Sequence, residues 1–383
     1  MSARRAGLSL PVTAPAQDPG LPVHSVREEK MMSRFLVVQK VCAAACLTLA
    51  LPAAMTSGAR AQDGGGVRIP EELVEAATEE GRLVWYESTV PAEADVVIDA
   101  FREKYPDIAV DYVSIGGSQR MARISQESMS GGPTADVSFD AAAAVMTLAD
   151  QGFVEPGGWE GFGFDAASGE VPNDFMIRLD SIPYVTIYNR DLVPEEDVPQ
   201  SYDDLLKDDY AGNWATWARP NGLINLLPAW GPEKTRDFVT ELAATRPRLY
   251  RDHQAVSSAV AAGEVAMGHF IPYQSVRPLV ERGAPVEVAF LTPSPIVSIY
   301  GYVPKFAEHP NAGKLFLVWL ASPEGAAVFE QATGRGSPFK PATMLGQLME
   351  GMETSAWNVE DELAQTGEIT ALEQEFARTL ETQ

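Results

Sequence analysis

Several polar side chains follow predicted strands directly, at the point where a strand gives way to a helix. Ser88 and Thr89 come after an apolar run and before a helix that we predict to begin near Pro91. Two hydroxyls and the free N–H groups of a helix start suit an oxyanion. Simple capping of the helix is the alternative interpretation, and both stay open. Gly117 and Ser118 repeat the pattern after the second predicted strand, with the same two interpretations.

Three further candidates stand at strand ends. Asp140 ends the third predicted strand, where its carboxylate could ligate a metal or cap the next helix. Arg219 and Asn221 follow a later strand and precede a helix. A guanidinium is a planar, permanently charged partner for carboxylate or phosphate, while an asparagine at this position can cap the helix or bind ligand. A plain surface arginine is the alternative for Arg219.

Aromatic and amide side chains complete the candidate set. Tyr273 and Gln274 follow the predicted strand Val265–Phe270, and Tyr300 lies beside Gly301 on a later strand. Tyr300 could close on a ligand or be an ordinary core aromatic. Asp140 and Tyr273 together offer two hard oxygen ligands, which are too few for tight binding of a bare metal ion.

These positions belong to a regular alternation of short buried strands and helices. The helix that follows the first strand, for example, carries Ala94, Val97, Ile98, Phe101 and Tyr105 at the spacing of one helical face. The predicted strands cover residues 83–86, 108–113, 135–139, 184–188, 214–218, 265–270 and 286–291. This order with short connections predicts an α/β fold on an open, mostly parallel sheet, with ligands at the carboxyl ends of the strands.

The first 61 residues are predicted to be a leader, with a signal peptide at about residues 31–61. Arg34 and Lys40 precede the apolar run Val41–Met55, which ends before the small-x-small pattern of Ala59–Ala61. The run is shorter than the roughly 20 apolar residues that span a bilayer. We expect cleavage near Ala61 and a periplasmic protein; an uncleaved N-terminal anchor is the alternative.

Removal of this leader changes the composition. Both cysteines, Cys42 and Cys46, leave with it, so the remaining chain has no thiol chemistry. It retains 22 Lys and Arg against 50 Asp and Glu, a net charge near −28, which disfavours nucleic acid as a partner. About 320 residues suit two lobes better than one core, and we expect a monomer.

Motifs of enzyme chemistry are missing from the sequence. There is no Gly-x-Ser-x-Gly elbow, P-loop, Gly-x-Gly-x-x-Gly or His-Glu-x-x-His pattern. Beyond the leader the histidines are His253, His269 and His309, and no pair has metal-ligand spacing. The chain is therefore predicted not to be an enzyme; a hydrolase or transferase on the same scaffold is kept as an alternative.

The run Glu72–Asp107 resembles the opening of type 2 periplasmic solute-binding proteins, in the branch that includes ferric-ion binders. Four further stretches agree in order and spacing, at residues 135–140, 187–192, 261–266 and 309–336. The resemblance implies a periplasmic-binding-protein type 2 fold, with two α/β lobes joined by crossover strands and ligand held between them. The first lobe would cover 62–184 and 298–383 and the second 185–297, with crossings near Pro183–Tyr188 and Ile296–Val303.

The resemblance also implies a function. The chain would be the substrate-binding component of an ABC importer, delivering ferric iron, a ferric chelate or a small organic anion to a permease in the inner membrane. No cofactor is expected beyond Fe(III) as cargo. A periplasmic sensing module for a membrane receptor is the alternative. The ferric binders have two adjacent tyrosines where this chain has Tyr273 and Gln274, and Ser88 and Thr89 take the place of their histidine.

Overall fold

The computed structural model describes residues 66–207 and 211–382; the predicted leader, its cysteines and its cleavage site lie outside them. The strands of the described residues are β1 (Arg82–Glu87), β2 (Ala109–Ser114), β3 (Val137–Asp140), β4 (Ile177–Asn189), β5 (Trp214–Trp217), β6 (Arg248–Tyr250), β7 (Met267–Pro272), β8 (Val286–Ala289), β9 (Ser294–Tyr302) and β10 (Thr354–Ala356).

Helices alternate with these strands. They are α1 (Glu71–Glu80), α2 (Pro91–Lys104), α3 (Gly117–Met129), α4 (Ala142–Asp150), α5 (Asn221–Ile224), α6 (Leu227–Ala244), α7 (His253–Ala261), α8 (Arg277–Glu281), α9 (Pro310–Ala321), α10 (Pro323–Thr333), α11 (Met344–Leu348), α12 (Val359–Ala364) and α13 (Thr366–Glu381). Local chemistry sets their ends. Ser322 caps α10 by accepting a bond from the backbone N–H of Gly325, and Gly334 ends it at φ 73°.

The strands form one mixed sheet in the order β2-β1-β3-β9-β4-β7-β5-β6, with β8 paired to β4 and β10 to β9. Neighbours on either side of the middle are parallel: β2, β1 and β3 in one part, and β7, β5 and β6 in the other. We call the part built on β1–β3 the first lobe and the part built on β5–β7 the second lobe. The expected α/β fold with two lobes and mostly parallel sheets is confirmed.

Two antiparallel strands, β4 and β9, connect the lobes. The first half of β4, residues 177–183, pairs with β9, and β9 also pairs with β3 of the first lobe. The second half, residues 184–189, lies between β7 and β8. β4 thus runs from one lobe into the other, and β9 runs back. We refer to the paired β4 and β9 as the crossover ribbon.

An aromatic core holds the first lobe. Trp85 of β1 lies 5.4 Å from Phe139 of β3 and 5.2 Å from Phe316 of α9 between ring centroids, and Phe101 of α2 meets Phe316 edge-on at 5.0 Å. All four side chains are fully buried. Each contributes roughly 1.5–3 kcal/mol of burial free energy, which fixes the strands whose ends form the site.

The C-terminal helices divide between the lobes. Val359 and Leu363 of α12 pack with residues of α4 on the first lobe. Phe376 of α13 belongs to the core of the second lobe, and Arg236 of α6 holds Glu375 of α13 at 2.6 Å. The lobe boundaries drawn from the resemblance place all of 298–383 in the first lobe. These lobe boundaries remain a prediction, but α13 itself packs on the second lobe.

Candidate ligand-binding cleft

A cleft of about 550 Å³ opens between the lobes, with the crossover ribbon as its floor. Ile182 of β4 and Ile299 of β9 line this floor. The wall on the first lobe is polar and contains Glu87, Ser88, Thr89, Val90, Glu93, Arg120, Asp140, Ala141, Thr333 and Arg335. The wall on the second lobe contains His253, Gln254, Ser257, Ser258, Gln274, Ser275, Pro278, Leu279 and Arg282. Ligand can therefore touch both lobes at once.

Two helices of the first lobe begin at the cleft without a side-chain cap. Val90 is the N-cap of α2 and Ala141 the N-cap of α4, and neither helix start receives a side-chain hydrogen bond. Capping by Ser88 or Thr89, one of the two sequence interpretations, is therefore not what the structure shows. Instead the backbone N–H and hydroxyl of Thr89 donate to Glu87. The uncapped ends leave N–H groups and partial positive charge at the cleft.

This wall contains a buried arginine–carboxylate cluster, formed by Glu87, Arg120, Asp140 and Arg335 together with Asp180. Arg335 donates to Glu87 at 3.1 Å and to Asp180 at 2.9 Å. Arg120 donates to Asp140 at 2.6 Å and lies 4.0 Å from Glu87. Three acids against two arginines make a nearly balanced set, as burial requires.

Burial and pairing act in opposite directions on the carboxyl pKa values of this cluster. Burial raises the pKa of Asp180 to about 6, although Arg335 pulls it down. Burial also pushes up the pKa of Glu87, but Arg335, Arg120 and the hydrogen bonds from Thr89 outweigh it and hold that pKa below its usual value. Glu87 is therefore the firmly ionised member, and Asp180 the member that titrates near neutrality.

Backbone geometry sets the position of Arg335. The residue lies between Gly334, at φ 73°, and Gly336, where an added Cβ would stand 2.0 Å from Oε1 of Glu330. The carbonyl of Gly336 accepts a bond from the N–H of Ser181 at 2.9 Å. The segment after α10 is thereby tied to the crossover ribbon, and the guanidinium is aimed at the cleft.

The opposite wall presents polar atoms without partners. His253 stands at the start of α7, and Gln274 lies two residues after the end of β7. Nδ1 of His253 and Oε1 of Gln274 are buried and have no hydrogen-bond partner among the described residues. Burial lowers the pKa of His253, so its ring is neutral at physiological pH. A ligand would supply the missing partners, since buried polar groups are costly when unpaired.

One contact joins the two walls beside the cleft. Arg277 of α8, in the second lobe, donates to the carbonyls of Glu330 at 2.5 Å and Gln331 at 3.2 Å, in the last turn of α10 in the first lobe. Positive charge at a helix C-terminus is favourable, so this arginine holds the lobes together.

The structure brings four of the candidates from sequence into the cleft: Ser88, Thr89, Asp140 and Gln274. Gly117 and Ser118 are exposed at the start of α3, and an added Cβ on Gly117 would lie 3.9 Å from Oδ1 of Asp140. They stand beside the site and do not line it.

Other candidates lie elsewhere. Arg219 is exposed, and Tyr273 packs on Phe290 with ring centroids 5.7 Å apart. Asn221 and Tyr300 line a separate cavity on the other face of the crossover ribbon.

The two proposed metal ligands, Asp140 and Tyr273, do not share a wall of the cleft. The carboxylate of Asp140 already accepts hydrogen bonds from Arg120 at 2.6 Å and from the Tyr302 hydroxyl at 3.1 Å. Within residues 66–207 and 211–382, no three His, Cys, Asp or Glu side chains are placed to hold a metal ion. The cleft is built to bind a polar solute through hydrogen bonds and helix starts.

Sequence reasoning missed Glu87, Arg120, His253 and Arg335. Glu87 ends β1, so the strand-end rule that selected Ser88 could have found it. Arg335 lies between two glycines, a pattern that signals a special backbone position. Arg120 and His253 carried no signal beyond their place in the first turn of a helix.

A polar cleft between two α/β lobes, floored by two crossover strands, defines a two-lobed binding protein. Residues 86–327 match the family described as bacterial extracellular solute-binding protein, and the chain belongs to this family. It is 26% identical over 175 residues to the Fe(3+)-binding periplasmic protein of Serratia marcescens. That match covers 41% of this chain and 51% of the relative, so the chain spans about half the length of the curated relative it matches.

Solved structures share the fold. A substrate-binding protein of an ABC transporter from Agrobacterium tumefaciens is 20% identical with a TM-score of 0.62, over 79% of this chain and 96% of that one. Iron-bound HitA from Pseudomonas aeruginosa is 20% identical with a TM-score of 0.62, over 77% of this chain and 99% of that one. A Trichodesmium protein (IdiA, FutA) in complex with iron and citrate ligands is 18% identical with a TM-score of 0.62, over 77% of this chain and 99% of that one.

Proposed function

We propose that this chain is the solute-binding subunit of an ABC importer and that it captures a small anionic solute in the cleft. The observation that carries the proposal is the pair of uncapped helix starts, at Val90 and Ala141, on one wall of a cleft that both lobes line. Helix N-termini bind anions through their N–H groups and dipole. Arg335 and Arg120 lie on the same wall, where their charges are balanced by Glu87, Asp140 and Asp180, so the helix starts supply the partial positive charge.

Iron, if it is the cargo, enters this cleft as an anionic chelate. The Serratia relative is named for Fe(3+), and the Trichodesmium structure holds iron and citrate. Here Asp140 is occupied by Arg120, and the cleft offers few free hard oxygen ligands to a bare ion. A citrate complex brings its own oxygens to the metal and presents carboxylates to the protein.

The remaining assignments follow from this role. The chain is exported, cleaved near Ala61, and works in the periplasm as a monomer that hands its solute to a membrane permease. The acidic surface disfavours nucleic acid. We expect no catalysis in the cleft, because its carboxylates and arginines are paired with one another.

The test is a titration of metal-free protein with ferric citrate, citrate alone and ferric ion supplied with a weak chelator. Calorimetry gives the affinity, and X-ray scattering gives the radius of gyration. We expect ferric citrate or citrate to bind with a decrease in radius, and Arg219→Ala, an exposed arginine outside the cleft, to bind as wild type. Binding of ferric ion alone with no preference for a chelate would contradict the anionic-solute proposal.

A partner assay separates import from sensing. Loaded protein should stimulate the ATPase of its cognate permease reconstituted in liposomes. Stimulation of a receptor ectodomain instead of the permease would favour the sensing alternative, and a chemically altered solute after incubation would favour an enzyme.

A further inference from the structure

A second cavity of about 190 Å³ lies on the face of the crossover ribbon opposite to the cleft. Alternate side chains of β9 separate the two spaces: Ile299 faces the cleft, whereas Ser298 and Tyr300 face the cavity. Ala141 borders both. The volume is about six times that of a water molecule in the liquid, so a small organic molecule fits.

The charged groups that line this cavity are both acids. Glu362 of α12 and Glu373 of α13 line it, and neither forms an ion pair within the described residues. No Lys or Arg is among the lining residues of the described chain. Burial raises the pKa of Glu362, because a buried carboxylate without a counter-charge is unfavourable in its ionised form. A cation in the cavity would remove that cost.

The neutral groups also suit a cation that carries a hydroxyl. Oδ1 of Asn221 and the Nε1–H of Trp357 are both buried and have no hydrogen-bond partner within the part of the chain that the structure describes. The first is an acceptor for an ammonium N–H, and the second is a donor to a hydroxyl oxygen. The rings of Trp357 and Tyr300 line the same space, and aromatic faces attract organic cations.

We propose that this cavity binds a small organic ammonium ion of the amino-alcohol class. Glu362 and Glu373 neutralise the ammonium, Asn221 accepts one of its N–H groups, and Trp357 donates to the hydroxyl. A bare divalent metal fits less well, because aromatic and aliphatic side chains make up much of the lining, whereas Ca²⁺ takes about six to eight oxygen ligands. The site is independent of the cargo of the cleft.

An occupant would contact both lobes. Glu362 stands on α12, which packs on the first lobe, and Glu373 on α13, which packs on the second. Asn221 begins α5 of the second lobe, and Ala141 precedes α4 of the first. The amine would therefore bridge the lobes from behind the ribbon.

Ethanolamine is the probe, titrated into the full chain by calorimetry at low salt, with ethylene glycol as its neutral analogue and CaCl₂ as the metal control. We expect saturable binding of ethanolamine and no saturable binding of ethylene glycol or CaCl₂. Glu362→Gln and Glu373→Gln should each weaken it by about tenfold or more, the loss typical of a charge-assisted hydrogen bond. Glu360→Gln, on the exposed face of α12, is the matched control and should bind as wild type.

Three results would overturn the proposal. They are absence of saturable ethanolamine binding, equal binding of ethylene glycol or calcium, and unchanged affinity in both glutamine variants. Gln274→Ala, in the cleft, tells the two sites apart: if it weakens ethanolamine as strongly as Glu362→Gln does, the amine occupies the cleft and the second site is wrong. Thermal unfolding of each variant checks that it is folded.

Discussion

Arg335 and Asp180 meet at 2.9 Å, Nη2 to Oδ2, where the loop after α10 crosses the strand that leaves the first lobe. Asp180 has no exposed surface, and its second oxygen, Oδ1, has no hydrogen-bond partner among the described residues. The same guanidinium also reaches Glu87 at the cleft wall. One side chain thus connects the cleft-facing end of β1 to the crossover ribbon.

Replacing Arg335 should destabilise the fold strongly. Arg335→Ala leaves Glu87 and Asp180 buried without their shared cation, and loss of one partner of a buried pair costs about 3–5 kcal/mol. Arg335→Lys should recover only part of this, because an ammonium cannot fork to two carboxylates. Urea unfolding measures both. Arg219→Ala should stay within about 0.5 kcal/mol of wild type, and a similarly small effect of Arg335→Ala would contradict the assigned role of the cluster.

Asp180 should make stability depend on pH. Its pKa is about 6 in the folded protein and 3.8 as the ordinary value, so the folded state holds this proton more tightly than the unfolded state. The free energy of unfolding of the wild type, minus that of Asp180→Asn, should therefore fall as pH rises from about 4 to about 6, by up to about 1.4 kcal/mol per pH unit. Above about pH 6 the difference should level off. Unfolding curves across that window test this, with the exposed Asp107→Asn as control. A difference that is constant or rises with pH would refute the raised pKa.

Arg277 should control the opening of the cleft. Arg277→Ala removes the two hydrogen bonds from α8 to the end of α10, and we expect a larger radius of gyration without ligand. Glu281→Ala is the matched control, because it deletes only the exposed ion pair with Arg277 at 2.6 Å. X-ray scattering on both variants gives the answer. Equal radii for wild type and Arg277→Ala would show that this contact does not hold the lobes.

Two glycine substitutions should change the free energy of unfolding in opposite directions. A Cβ at Gly301 of β9 would stand 2.3 Å from Cδ2 of Leu317 and 2.8 Å from Cδ1 of Leu179, so Gly301→Ala should cost about 1–3 kcal/mol. Gly367 lies in the first turn of α13 with no atom within 4 Å of an added Cβ. Gly367→Ala should stabilise by about 0.5–1 kcal/mol. Thermal melts measure both, and a neutral Gly301→Ala would show that β9 can shift away from α9.

The sequence predicted the elements better than the site. Apolar runs marked β1, β3 and β7. The rule that ligands lie at the carboxyl ends of strands selected Ser88, Thr89 and Asp140, which line the cleft, and also Arg219 and Asn221, which do not. Such signals are local, because strand and helix periodicity depend on neighbours in the chain.

The ion-pair cluster could not be predicted in the same way. Asp180 and Ser181 interrupt the apolar pattern, so only the second half of the 13-residue strand β4 was expected. Asp180 is tolerated there because Arg335, 155 positions later in the chain, reaches it. Pairing at such separations is decided by how the lobes assemble, which no local pattern encodes.

The placement of α12 and α13 on different lobes has a mechanical consequence. The chain passes between the lobes through β4 and through β9. In the C-terminal segment β10 and Trp357 pack on the second-lobe side, α12 packs on the first lobe, and the chain crosses again at Gln365, where α13 begins. A rigid-body rotation that strains none of these passages must have its axis close to all of them. The passages in the C-terminal segment therefore restrict sideways movement of the lobes, and hinge rotation about that axis remains as the permitted motion.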